Sequence, residues 1–239
     1  MNTLPVILGI SRPIGKDKLS HQRAGHTSGS SESSSKISND LKQKIFERDN
    51  HCCRACGFTS QKYQEIHHLN NNKNDLRETN LATLCIFCHQ CFNLEKVSVM
   101  RSGVLIWLPE ITQERLSHIA RAIYVARISQ GPMAEAARKT LDILMARRDE
   151  VKNRLGTDDP YILSEVLRDY LGEKHYHIRD KKLSGIRLLP LDRRIIKEAD
   201  LEFNQFPQIL AYWRSKSGPF GGKTPPQWIG LYQSIEKSK

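Results

Sequence analysis

The sequence predicts an α+β fold in which a cysteine-rich unit precedes a mostly helical part. All six cysteines lie between Cys52 and Cys91. Thr112–Ile128 carries apolar residues at helical spacing, and the short apolar run Val104–Leu108 ends at Pro109, which is typical of a strand. The chain accordingly divides into four parts: a short strand with a serine-rich flexible segment (1–38), a cysteine-rich module (39–100), a strand with helices packed on that module (101–206) and a flexible Gly/Pro-rich tail (207–239).

The chain before the module combines one apolar run with a long polar stretch. Pro5–Ile10 suits a short strand, whereas Gly15–Lys36 is polar and serine-rich and lacks the apolar surface that a folded core needs. Ser38 or Asn39 is placed to cap a short helix with apolar residues on one face. We expect this helix to lead into the first cysteine pair.

Four helices are predicted after the module. The apolar patterns place them at Thr112–Ile128, Met133–Leu155, Tyr161–Leu171 and Arg193–Phe203. Asp159 and Pro160 stand where the third helix needs a cap and a first-turn residue. From Ser215 the chain is rich in Gly and Pro, which predicts a flexible tail, and the apolar group around Trp228 forms a possible docking patch.

The charge balance is basic, with 37 Lys and Arg residues against 26 Asp and Glu residues and a formal charge of +11. Such a surface suits nucleic acid, an anionic membrane face or an acidic protein partner. The positive residues are scattered, which is typical of solvated helix faces. The apolar stretch Leu4–Ile10 is interrupted by Gly9 and is too short for a signal peptide or a membrane span, so we predict a cytoplasmic protein without direct membrane insertion.

Two Cys-x-x-Cys pairs are the most specific local signal. Each pair, Cys53 with Cys56 and Cys85 with Cys88, can offer two thiolates to a tetrahedral ion at roughly 2.3 Å. Gly57 follows the first pair, where a tight turn favours a residue without a Cβ. The pairs predict one structural Zn²⁺ held by all four cysteines. The alternatives are buried structural cysteines or a redox Cys-x-x-Cys.

Cys52 and Cys91 are left over. Cys52 abuts the first pair and Cys91 lies one helical turn after Cys88, so either could be a spare ligand. Small buried thiols are the commoner fate of such residues, and we assign neither to the metal.

The segment between the two cysteine pairs carries histidines in a particular order. It reads Tyr63-Gln-Glu-Ile-His67-His68-Leu69 and continues to Asn80, and His89 follows the second pair. This order resembles the HNH nuclease family, whose ββα zinc-finger core has such residues on a strand, a loop and a helix. The resemblance implies that His67 and His89 bind a second divalent ion, Mg²⁺ or Mn²⁺, that His68 is the general base and that Asn80 orients the loop and base. The alternative is that these histidines are structural remnants.

Longer stretches resemble a second family, IcmJ/DotN, over roughly residues 40–194. The stretches are Cys88-His-Gln-Cys91-Phe92-Asn-Leu94-Glu95-Lys-Val97, Leu105-Ile-Trp-Leu-Pro109-Glu110-Ile-Thr112-Gln113 and Ile186-Arg-Leu-Leu-Pro190. The resemblance implies a cytoplasmic component of the Dot/Icm type IVB secretion system, peripheral to the inner membrane. It also implies binding to the C-terminal extension of the coupling ATPase DotL within the type IV coupling complex, with the HNH-like finger as a binding scaffold.

Two functional hypotheses follow. The first is a zinc-binding scaffold that binds the coupling ATPase through surfaces around Val104–Ile128, since a minimal nuclease does not need the helices after the finger. The second is a metal-dependent HNH endonuclease that nicks DNA, which His67, His68, His89 and the basic charge favour. Similarity over most of the chain outweighs a motif that can persist without use, so the scaffold is our first prediction and the enzyme the alternative.

Overall fold

The cysteine-rich half of the molecule is built from short elements. The structure, a computed structural model, describes residues 3–11, 37–198 and 200–237, and the predicted serine-rich segment lies outside the described residues. The elements of this half are α1 (Asn39–Arg48), β1 (Gln64–His68), β2 (Leu81–Cys85), α2 (Ile86–Cys91) and α3 (Leu94–Val99). Ser38 caps α1 by accepting a hydrogen bond from the backbone N–H of Leu41 at 3.2 Å, which confirms the predicted start of this helix.

An antiparallel strand pair leads directly into α2. The register of β1 and β2 runs one to one from Gln64 opposite Cys85 to His68 opposite Leu81, without a bulge in these five pairs. Because β2 ends at Cys85 and α2 begins at the next residue, the second cysteine pair straddles the junction between strand and helix.

The second half of the chain combines helices with two further strand pairs. Its elements are β3 (Gly103–Trp107), α4 (Gln113–Arg127), α5 (Pro132–Ala146), α6 (Arg148–Leu155), α7 (Pro160–Asp169), α8 (Glu173–His177), α9 (Arg179–Lys182), β4 (Ile186–Pro190), β5 (Ile195–Glu198), β6 (Leu201–Asn204), α10 (Phe206–Arg214) and α11 (Pro225–Lys237). Helices together with small antiparallel strand pairs confirm the α+β class. Asp159 caps α7, as its pattern predicts, and Thr112 is the cap of α4. Among the described helices, none is both long enough and apolar enough to cross a bilayer.

The β3–β4 pair separates two hydrophobic cores. Leu105 lies opposite Leu188, and both side chains face a core shared with α3, α6 and α7. Ile106 and Leu189 face the other core, which contains the cysteine-rich module, α4 and α10. The strand pair is therefore buried on both faces and joins the two halves of the chain.

The side chain of Gln113 extends the hydrogen bonding of β4. Its amide nitrogen donates to the carbonyl oxygen of Leu188, and its amide oxygen accepts from the N–H of Leu188, both at 2.8 Å. Two of the stretches singled out in the sequence, Leu105–Gln113 and Ile186–Pro190, thus lie side by side in the fold.

The strand predicted at Pro5–Ile10 is wrong. Residues 3–11, which we name the N-terminal strap, form no strand ladder. Instead, Gly9 donates its N–H to the carbonyl of Cys91 and accepts from the N–H of Leu94, at 2.9 and 3.0 Å. The strap buries Leu8 and Ile10 in the second core. Its apolar residues therefore reflect burial against helices and not pairing in a sheet.

The helix predicted at Arg193–Phe203 is also wrong, because this segment is the β5–β6 hairpin. Its first strand begins with the β-branched pair Ile195 and Ile196, which fits a pleated surface better than a helix. Asn204 ends the hairpin and accepts the N–H of Phe206 at 3.1 Å at the start of α10.

Two further predictions need correction. The helix predicted at Met133–Leu155 is two helices, α5 and α6, which meet at Arg147. The flexible tail predicted from residue 207 is wrong for α10, because Phe206, Ile209 and Trp213 share one buried helix face. The Gly- and Pro-rich stretch that follows α10 is short, and it leads into α11.

Candidate metal centre and histidine pocket

Four cysteine sulfurs converge at one point of the module. The Sγ atoms of Cys53, Cys56, Cys85 and Cys88 all lie within 4.8 Å of one another, and Cys56 and Cys85 are 3.8 Å apart. Four sulfurs held tetrahedrally at 2.3 Å from an ion are separated by about 3.8 Å, so the cluster has the size of a metal–thiolate site. This geometry could hold one metal ion.

Local backbone structure points the sulfur atoms of both cysteine pairs toward the centre of the cluster. Gly57 adopts φ +75° and donates its N–H to the carbonyl of Cys53 at 2.9 Å, which closes a tight turn around the first pair. At the start of α2, the Sγ of Cys85 accepts the N–H of Cys88 at 3.4 Å. The second pair therefore uses a helix N-terminus, which favours negative sulfur.

The electrostatics of the cluster also fit a cation. Hydrogen bonds from neighbouring sulfurs lower the pKa of the Cys56 thiol, whereas hydrogen bonds with Cys56 and Cys85, together with burial, raise the pKa of the Cys53 thiol. Contacts with the other three sulfurs raise the pKa of the Cys88 thiol. Cys53, Cys85 and Cys88 are buried and Cys56 is half-buried. Four thiols this close do not all ionise alone, and a divalent cation supplies the charge that lets them do so.

Sequence reasoning missed a buried cation beside the sulfurs. The Nη2 atom of Arg121, on α4, lies 2.7 Å from the Sγ of Cys85 and 3.5 Å from that of Cys56. The neighbouring His118 places Nε2 at 2.8 Å from the carbonyl oxygen of Cys56. The helical spacing carried no signal for it, because Arg121 falls outside the apolar stripe that Leu116, Ala120 and Ile123 form on this helix.

Cys52 and Cys91 lie outside the four-sulfur cluster. The thiol of Cys91 is buried and donates to the carbonyl of Phe87 at 3.3 Å, and that of Cys52 is half-buried with only a long contact to a backbone carbonyl. Neither sulfur is therefore placed as a fifth ligand.

The three histidines singled out in the sequence line one pocket of about 430 Å³, which we name the histidine pocket. His67 and His89 lie with ring centroids 6.0 Å apart, and Phe92 packs 4.5 Å from the ring of His67. His68 lines the same pocket although it is adjacent to His67, and the register of β1 with β2 has no bulge at these residues.

The histidine pocket is electropositive and its imidazoles are neutral. Lys42, Lys73 and Lys96 also line it, while the carboxylate of Glu65 is paired with Arg194 at 2.7 Å. Burial, with the nearby His89 and His68, lowers the pKa of His67 to about 3. Burial and the neighbouring cations likewise lower the pKa of His89 to about 3.

Asn80 organises the loop beside the histidine pocket. Its Oδ1 accepts the N–H of Asn70 at 3.0 Å, and its Nδ2 donates to the carbonyl of Asp75 at 2.9 Å. One side chain thus closes the polar loop between β1 and β2, and this loop carries Lys73 into the pocket.

The donors of the histidine pocket do not match Mg²⁺. Among the described residues, the four cysteines are the one group of three or more His, Cys, Asp or Glu ligand atoms within 4.8 Å of one another. His67 and His89 offer imidazole nitrogens, whereas Mg²⁺ and Mn²⁺ favour oxygen ligands. Two imidazoles suit Zn²⁺ or Ni²⁺ better.

Exposed apolar side chains concentrate on α7 and not on α4. The α7 stripe, which consists of Tyr161, Ile162 and Val166 with the C-cap residue Tyr170, faces solvent, and Tyr170 is 81% exposed. In contrast, most apolar residues of α4, within the predicted partner region Val104–Ile128, are buried in the first core. Ile119 and Ile128 are the exposed large apolar residues of Val104–Ile128, so α7 offers more accessible apolar surface than the region that the sequence favoured.

One comparison with known proteins identifies a relative. No family model matches the sequence. Over 162 residues the chain is 35% identical to the type 4 apparatus protein DotN of Legionella pneumophila. The alignment covers 66% of this chain and 75% of that protein.

Proposed function

Because the chain belongs to the DotN family, we propose that it is a scaffold subunit of a type IV secretion coupling complex. The observation that carries this proposal is the 35% identity over 75% of the length of DotN, the type 4 apparatus protein. The packing supports it, since the family-like stretches around β3 and β4 form the buried centre of the fold. The chain then acts by holding partners together, peripheral to the inner membrane through the complex.

We further propose that the scaffold is built on a structural Zn²⁺ held by Cys53, Cys56, Cys85 and Cys88. The all-sulfur donor set, the 3.8 Å sulfur spacing and the buried position favour zinc over harder divalent ions. The succession of β1, β2 and α2 around the sulfurs supports descent from an HNH-like ββα finger. In this role the metal stabilises the fold and takes no part in a reaction.

The partner that we propose is a helical segment of the C-terminal extension of the coupling ATPase, a DotL-like protein. We assign its binding to the α7 stripe, because the opposite side of α7, with Leu163 and Leu167, is already anchored in the second core. Exposed apolar residues repeated every four positions match the anchors of an amphipathic helix. The basic charge of the chain adds attraction for an acidic segment.

The proposal is tested by co-purification of the ATPase extension with tagged full-length protein. We expect Val166→Asp or Tyr170→Asp to reduce capture at least tenfold, because each places a charge in the apolar contact. Ile143→Asp is the matched control, since Ile143 is also exposed but lies on a different helix, α5. Undiminished capture by both α7 variants would remove this surface from the proposal. Recovery of DNA with no secretion component would overturn the scaffold itself.

A metal-dependent endonuclease is the second candidate function. The observation that favours it is the convergence of His67, His68 and His89 in one electropositive pocket, with Asn80 ordering the adjacent loop. In this alternative His68 is the general base and DNA the partner. The mismatch between imidazole donors and Mg²⁺ or Mn²⁺ counts against it.

A further inference from the structure

Arg121 is a buried cation whose polar partners are the sulfurs of Cys85 and Cys56 and, at 3.4 Å, the Nδ1 atom of His118. Its side chain is 1% exposed, and within the described residues its guanidinium pairs with no carboxylate. Its planar group lies 4.0 Å from the ring centroid of Phe58 and 5.3 Å from that of Phe87. The Sγ atom of Cys85, 2.7 Å from Nη2, is therefore the nearest group that can carry a negative charge and balance the guanidinium.

The charge of the guanidinium constrains the state of the sulfurs. A buried cation without an anion is strongly unfavourable, and two aromatic faces offset only part of that cost. Neutral thiols would leave Arg121 without a counter-charge. A divalent ion bound by four thiolates carries a net charge of −2 by simple addition, and one guanidinium beside it brings the sum to −1.

We propose that Arg121 is the counter-ion of the metal–thiolate centre and that it couples metal occupancy to the docking of α4 on the cysteine-rich module. The inference rests on the proposed metal centre. Arg121 touches the sulfurs of both cysteine pairs, Cys56 of the first and Cys85 of the second. It is thus a positioning residue whose positive charge is attracted by the negative charge of the metal–thiolate cluster.

The coupling works in both directions. If the guanidinium tightens metal binding by some factor, bound metal favours the docked position of α4 by the same factor, as thermodynamic linkage requires. α4 also packs against α5, α10 and β4. Metal occupancy is thereby transmitted from the finger to the helical half of the chain.

The experiment compares full-length Arg121→Met, which removes the charge, with Arg121→Lys, which keeps it. Arg115→Met is the matched control, because Arg115 is exposed on the same helix. We expect zinc release to a chromogenic chelator to be about tenfold faster or more in Arg121→Met, because coupled sites change affinity by about 5- to 150-fold and weaker binding appears mostly as faster dissociation. Release should be intermediate in Arg121→Lys and unchanged in Arg115→Met.

A spectroscopic readout separates the charge from simple packing. In the Co²⁺-substituted protein, the sulfur-to-metal charge-transfer band reports the electrostatic field at the sulfurs. We expect this band to shift in Arg121→Met and to stay close to the wild-type position in Arg121→Lys. Hydrogen exchange of α4 should accelerate when metal is removed from the wild-type protein.

Each outcome decides a separate point. Wild-type protein that binds no metal refutes the metal centre itself. One metal per chain with equal release rates and equal Co²⁺ spectra for wild type and Arg121→Met overturns the counter-ion role and leaves the centre intact. The counter-ion role is also overturned if Arg121→Met and Arg121→Lys behave alike, or if Arg121→Lys fails to fold. In either case, keeping the positive charge, as lysine does, has made no difference. Unchanged α4 exchange on metal removal refutes the coupling.

Discussion

Single side chains in the histidine pocket combine the residues of a nuclease motif with an environment poorly suited to its chemistry. Burial, together with the charge of Lys73, lowers the pKa of His68 below its ordinary value. A general base works best when its pKa lies near the working pH, so a lowered value makes His68 a weaker proton acceptor. The neutral rings leave the positive charge of the pocket to its lysines.

We therefore expect His68→Ala to be silent. In an active enzyme, loss of the general base reduces cleavage by about 10²–10⁴-fold. In a scaffold, the same change leaves metal content, folding and secretion or conjugation unchanged. The measurement is nicking of supercoiled plasmid with Mg²⁺, Mn²⁺ or Ni²⁺, with His177→Ala as the control because His177 is exposed on α8. Nicking that disappears only in His68→Ala would favour the nuclease.

Among the elements, the β3–β4 pair depends on one glycine at its entrance. Gly185 adopts φ +84°, and a Cβ there would lie 2.5 Å from the ring of Trp107. Its carbonyl also accepts the N–H of Leu108 at 2.8 Å. The backbone of Gly185 thus packs directly against the indole of Trp107 at the end of the strand pair.

Gly185→Ala should lower the free energy of unfolding by about 2–5 kcal/mol, since a positive φ costs about 1–2 kcal/mol and overpacking against a ring costs about 1–3 kcal/mol. The control is Gly172→Ala, where a Cβ meets nothing within 4 Å, and we expect a change within about 0.5 kcal/mol. Urea unfolding measures both changes as a shift of the midpoint, provided that the slope of the unfolding free energy against urea concentration is the same for each variant. Equal midpoints for the two variants would show that the approach of Trp107 does not constrain this turn.

At the scale of the whole molecule, the proposed metal centre belongs to the main hydrophobic core. Cys53, Cys85 and Cys88 are part of the same buried cluster as Leu116, on α4, and Trp213, on α10. The β3–β4 pair joins this cluster to the second core. Loss of the metal should therefore destabilise the protein beyond the cysteine-rich module.

Removal of metal by a chelator should unfold the module and loosen the helical half in one transition. Structural zinc in small zinc fingers contributes an apparent binding free energy of about 10–16 kcal/mol, which stabilises only the folded state. Cys88→Ser should give metal-free or insoluble protein, whereas Cys52→Ser, outside the cluster, should keep one metal per chain. Metal analysis and thermal unfolding check both. A Cys88→Ser chain with wild-type metal content and melting temperature would refute the ligand assignment.

The sequence by itself determined the features that depend on neighbouring residues. The Ser38 and Asp159 caps and the helical spacing behind them were predicted from the sequence because a cap and its helix lie within a few residues of each other. The two Cys-x-x-Cys pairs were readable for the same reason, since each pair closes its own turn. Their convergence into one cluster was predicted because tetrahedral chemistry needs both pairs.

Only the tertiary structure decided the features that depend on distant residues. The pairing of β3 with β4, the place of Arg121 beside Cys85 and the burial of the N-terminal strap all join segments far apart in the chain. The hairpin at Ile195–Asn204 replaced a predicted helix because short apolar runs fit either period until packing selects one. Which apolar face stays exposed, α7 and not α4, was likewise settled by what else packs there. Such contacts are set by the whole fold, and local spacing carries no record of them.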